Sequence, residues 1–83
     1  MYNTALNKVD EIVKMSLEFN DDLFDENIAS IYSDILKCET NLVEFQNLLS
    51  EIWFLIGELA TPEDREIVDE IETLIEEAKE ILE

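Results

Sequence analysis

The sequence predicts an all-α fold: a three-helix antiparallel bundle with one long central helix, associating as a homodimer. Three observations carry that expectation. One glycine and one proline in 83 residues leave room for few turns, which favours a few long helices over many short strands. Isoleucine, leucine and valine recur at intervals of three and four along most of the chain, the period of a helix face. The apolar content of 47% separates the chain from disordered acidic sequences, which have too little surface to bury. One domain over residues 1–83 follows, and a chain this short buries only about 60–65% of its unfolded surface.

The first helix is expected over about 3–19. Ala5, Leu6, Val9, Ile12 and Val13 make one apolar stripe, with Lys8 and Lys14 off it. Asn20-Asp21-Asp22 ends it with turn-favouring side chains, and Leu23 and Phe24 plug the turn against the next helix. The second helix is expected over about 26–60, N-capped by Asp25. Ile28, Ile31, Ile35, Cys38, Leu42, Phe45, Leu49, Ile52, Ile56 and Leu59 hold an a/d register without a stutter. Such a helix is about 50 Å long at about 1.5 Å per residue. A break near Glu39-Thr40-Asn41, where helix propensity is weakest, is the alternative; the unbroken register favours one helix.

Thr61-Pro62-Glu63-Asp64 opens the third helix, expected over about 62–82. Thr61 caps, Pro62 takes the first helical position, and Asp64 completes a capping box with a shorter acid. Ile67, Ile71, Leu74, Ala78 and Ile81 form its inner stripe, widened by Val68, Ile75 and Leu82. The short turn at 60–61 sends this helix back along residues 39–60, and the first helix covers about 27–43. Val43, Trp53, Phe54 and Leu55 fall outside the seam and leave apolar surface that two short helices do not cover. They are the expected hydrophobic interface of a homodimer.

Charge is the feature that points toward function. Aspartate and glutamate number 22 against 5 lysines and arginines, with no histidine, for a formal charge of −17. So much like charge repels itself, and a mixed surface would keep the chain soluble at less cost in stability. Without histidine there is no imidazole base and no Glu-x-x-His di-iron pattern. One cysteine, Cys38, excludes thiolate clusters and internal disulfides, and fits a reducing compartment. The acidic turn 20–27 lacks the spacing, central glycine and closing glutamate of a calcium loop. No glycine-rich phosphate loop is present, and paired carboxylates need a pocket that a small bundle does not leave. No enzyme, metal or cofactor is therefore expected. Nothing near Met1 reads as a signal peptide, and the longest apolar run, Ile52–Ile56, is far short of a membrane span. A cytoplasmic location is expected.

The acids are ordered. Glu66, Glu70 and Glu77 follow one outer line of the third helix; Asp69, Glu72, Glu76, Glu80 and Glu83 follow its neighbour. Asp34, Glu44, Glu51 and Glu58 add to the outer side of the second. Like charges three or four residues apart cost a helix roughly 0.2–0.5 kcal/mol a pair, and only Arg65 and Lys79 offer relief. The third helix is therefore expected to firm as salt rises or as pH falls toward about 5. Carboxylates about 5–6 Å apart along a rod approximate a row of phosphates. In charge and shape, though by no motif, the chain resembles the small acidic helical nucleic-acid mimics of phages and mobile elements. The expected function is inhibition: Glu51, Glu58, Glu66, Asp69, Glu70, Glu72, Glu76, Glu77 and Glu80 occupy the basic groove of a DNA- or RNA-binding protein. Two other functions fit the same features, a structural or adaptor protein using the heptad seam and an antitoxin or immunity protein shielding a basic toxin. No basic patch supports direct nucleic-acid binding.

Overall fold

The backbone forms four α-helices and no strand, described over residues 1–83 in a computed structural model. They are α1 Tyr2–Phe19, α2 Glu26–Ile35, α3 Leu42–Leu59 and α4 Arg65–Leu82. Single 3₁₀ turns at Asp21–Leu23 and Pro62–Asp64 lead into α2 and α4.

The all-helical class is as expected; the long central helix is not. It divides at residues 36–41 into α2 and α3, so the bundle has four helices where three were expected. After Ile35 the hydrogen bonds tighten, with Lys37 N–H donating to the Asp34 carbonyl and Cys38 N–H to the Ile35 carbonyl, each at 3.0 Å. Asn41 then restarts the helix: its Oδ1 accepts from the Glu44 N–H at 3.1 Å, satisfying an amide that has no intrahelical partner. The turn uses no residue with positive φ. Its physical reason is coverage. A rod of about 50 Å would exceed the 36 Å long axis of the molecule and project its apolar seam beyond neighbours of 18 residues. Folding α2 back onto α3 buries Ile28 and Ile35 within one chain. Of the four residues behind the homodimer expectation, Trp53 and Leu55 are half-buried, while Val43 and Phe54 stay exposed.

The packing order also differs from the expected one. α1 lies chiefly against α4, α3 packs on α4, and α2 packs on α3; α1 reaches the expected stretch 27–43 only through side chains, Tyr2 to the Ile35 carbonyl and Tyr32 to Asp10. Two polar links fix α1 and α4 antiparallel: Asn20 Nδ2 donates to Asp64 Oδ1 at 2.9 Å, and Lys8 Nζ pairs with Glu77 at 2.8 Å. α4 therefore needs a wide apolar stripe. Ile71, Ile75, Ala78 and Leu82 are buried along its centre, while Ile67, Val68, Leu74 and Ile81 pack half-buried on the two flanks.

The remaining ends follow local chemistry. Asp25 accepts from the Ile28 N–H at 2.9 Å and starts α2. Leu23 is fully buried beneath the first turn, and Phe24 meets Tyr32 edge-on at 6.5 Å, so the expected plug is present. Thr61 N–H donates to Asp64 Oδ2 at 2.9 Å, the acid half of the capping box. The core centres on Phe45, Leu49, Ile52 and Ile56 of α3 with Val9 and Ile71. Tyr2 stacks edge-to-face on Phe45 at 5.5 Å and donates its hydroxyl to the Ile35 carbonyl at 3.1 Å, tying the start of α1 to the end of α2. Ser16, outside the expected stripe of α1, is buried; its hydroxyl donates to the Ile12 carbonyl at 2.9 Å, so no polar atom is stranded.

Candidate acidic binding face

α4 sets the face. Its buried line 71/75/78/82 leaves the opposite arc of the helix to solvent, and that arc carries Glu66, Asp69, Glu70, Glu72, Glu76 and Glu80, all exposed. Glu77 is the exception. It is half-buried and held by Lys8, and the Glu77 carboxylate in turn keeps the Lys8 ammonium above its usual pKa.

Lys8–Glu77 is the only ion pair of the molecule. Arg65 and Lys79, expected to relieve the crowded acids, have no carboxylate within 4 Å; Lys79 Nζ instead donates to Ser50 Oγ of α3 at 2.7 Å. The outer arc of α4 is thus left without a paired cation. From Glu66 to Glu83 it carries seven carboxylates besides Glu77 along about 26 Å of axis, roughly one per 4 Å. A single DNA strand carries one charge per about 3.4 Å.

The nine expected acids do not form one face. Glu51 and Glu58 are exposed, but Glu51 borders a cleft toward Ile31 of α2, whereas α3 meets α4 through Ser50 and Lys79. Glu44, Glu51 and Glu58, seven residues apart, therefore make a separate line on the α2 side of α3.

In their place α1 contributes Glu11. It faces Glu70 across a shallow cleft of about 320 Å³ between α1 and α4, lined also by Met15, Thr73 and Leu74. Two carboxylates on the rim and two apolar side chains beneath match a lysine or arginine, whose methylene stem lies on apolar surface while its charge stays at the edge. Glu11 and Glu18, seven apart on the outer side of α1, were the available signal; the antiparallel α1–α4 pairing needed to place them beside α4 is not written in either helix.

The expected hydrophobic interface also splits. Trp53 and Leu55 are half-buried against the core, which takes them out of a free surface. Val43 and Phe54 stand out from α3, 69% and 65% exposed.

Other chemistry-bearing groups are accounted for by the fold. The Cys38 thiol is buried and donates to the Asp34 carbonyl at 3.2 Å; burial, then the Glu44 and Asp34 charges, push its pKa up, away from the reactive thiolate. The Tyr32 hydroxyl donates to Asp10 Oδ1, which with burial raises the phenol to about 12. No cluster of acids and cysteine converges as metal ligands would. No helix is long and apolar enough to cross a membrane. Comparison with family models, curated proteins and solved structures finds no match for this chain.

Proposed function

We propose that the protein binds the basic surface of a nucleic-acid-binding protein and blocks it, presenting carboxylates where the target expects phosphates. The observation that carries this reading is the α4 arc: acids at about the linear charge density of a nucleic-acid strand, exposed and without a paired cation. Glu11 and Glu70 add a notch in which one lysine or arginine of the target is held. The protein acts as a binder and not as a catalyst, in the reducing cytoplasm that a lone buried thiol suits, in the manner of phage and mobile-element inhibitors.

Tagged protein is used to capture partners from its source cell at low salt, and the bound fraction is challenged with duplex DNA or with salt. The expected partner is basic, leaves on addition of DNA, and dissociates with a steep salt dependence. Replacing Glu66, Glu70, Glu76 and Glu80 together by glutamine lowers its affinity on the order of tenfold or more, at about 0.2–1 kcal/mol per exposed charge contact. Partners that neither DNA nor the glutamine variant displaces overturn the reading.

A further inference from the structure

The outer face of α3 carries a second surface of different chemistry. Val43, Asn47, Ser50, Phe54 and Gly57 follow one another at intervals of four and three, and none is charged. In a chain of net charge −17 that is an unusual line to leave free of carboxylates; a cation borders it at one point, the Lys79 Nζ of α4, which donates to Ser50 Oγ at 2.7 Å. The line's two large members, Val43 and Phe54, are three turns apart, about 16 Å, and are 69% and 65% exposed. Phe54 overhangs a cleft of about 350 Å³ between α2 and α3 that includes Ile31 and Leu55 at its apolar base and Glu51 at its rim. At Gly57 nothing lies within 4 Å of where a Cβ would stand, so the backbone is open to close approach there.

The spacing is that of a helix-pairing seam, with Val43, Ser50 and Gly57 at d positions and Asn47 and Phe54 at a positions. In that frame Glu44, Glu51 and Glu58 occupy three successive e positions, all exposed. Charges at e and g choose the partner of such a seam. A second copy of this chain is a poor occupant. An antiparallel copy sets glutamate against glutamate, a parallel one leaves those glutamates facing Gln46, Trp53 and Ala60, and either adds another −17.

We infer that α3 is a docking site for a partner helix that lays apolar residues over Val43 and Phe54 and lysine or arginine opposite Glu44, Glu51 and Glu58. This surface lies away from the α4 arc and stands or falls separately from it.

The probe is a synthetic amphipathic peptide of about three heptads with leucine at a and d and lysine at e and g, beside a twin with glutamate for lysine. Binding to the intact protein is followed by fluorescence anisotropy at physiological salt, and helicity by circular dichroism confirms that each variant, altered only at exposed positions, stays folded. The lysine peptide binds and the glutamate twin does not. Phe54→Ser weakens binding on the order of tenfold, and the triple Glu44→Gln, Glu51→Gln, Glu58→Gln variant does likewise. Glutamine at Glu66, Glu70, Glu76 and Glu80 leaves it within about twofold, apart from the general charge effect that salt removes. Failure to bind overturns the inference. So does binding insensitive to Phe54→Ser but lost in the α4 variant, which would instead favour the α4 arc as the cationic site. A free protein that sediments as a dimer, and as a monomer once Phe54 is serine, assigns the face to a second copy and also overturns it.

Discussion

Asp64 is the one acid of this chain that the fold takes out of water, at 8% exposure. It earns that position by joining three elements: its carboxylate accepts from the Thr61 N–H and hydroxyl at the α3–α4 turn and from Asn20 at the end of α1. The Thr61 amide first, then Asn20, hold its pKa below the usual 3.8. The sign of the linkage follows. The folded state binds this proton less tightly than the unfolded chain, so the contribution is complete above the unfolded carboxyl range and is lost as pH falls through the lower folded value. Asp64→Asn is therefore expected to lower the thermal midpoint at pH 7. The gap to the parent closes as the pH is taken below about 4, where the parent loses the same charge. Thermal melts monitored by circular dichroism between pH 7 and pH 3 check this; a gap that stays constant with pH means the carboxylate acts through shape alone.

At the scale of elements, Asn41 decides the architecture. As an N-cap it is expected to cost about 1 kcal/mol when replaced by alanine, read as a lower urea midpoint. The test discriminates, because within an unbroken helix the same substitution would stabilise, alanine being the better helix former. The case also marks where sequence stops being informative. The interval from Ile28 to Leu59 correctly named residues that face inward: Ile28, Ile35, Cys38, Phe45, Leu49, Ile52 and Ile56 are all buried. It could not report backbone continuity, since a turn that returns Cys38 to the core preserves the spacing while reversing the chain. The competing signal was present in Asn41 with Glu44 three residues on, the pattern of a helix start. Asp25 and Thr61 were legible for the same reason, as caps act through neighbours in sequence. The α1–α4 pairing was not, because each helix has an apolar stripe and no stripe states which other one it meets. Consequently the exposed acids of α4 were readable, whereas the partnership of Glu11 with Glu70 and the separation of Glu51 and Glu58 from the α4 arc were not.

For the whole molecule, the decisive quantity is −17 carried by a body of 36 × 22 × 19 Å. Folding gathers those charges, and a single ion pair offsets them. The fold is held by its apolar core of sixteen buried residues and by caps, with electrostatics acting against it. Screening should therefore stabilise. At low salt the Debye length is about 30 Å at 0.01 M, so charges across most of the molecule repel; at about 0.1 M it is about 10 Å, and only near neighbours such as Glu66–Glu70 and Glu76–Glu80 still do. The urea midpoint is expected to climb with sodium chloride, steeply up to about 0.1 M and more gently beyond. Strong acidification acts the other way through Asp64, whose charge the fold favours and whose loss at low pH costs stability. The Glu66, Glu70, Glu76 and Glu80 glutamine variant should start from a higher midpoint at low salt and respond less to added salt. That pairing links stability to binding: an acid row that is costly to fold is one whose repulsion a basic partner relieves. A midpoint flat or falling with salt would show that the carboxylates do not repel in the folded state, and would remove the electrostatic drive on which the α4 reading depends.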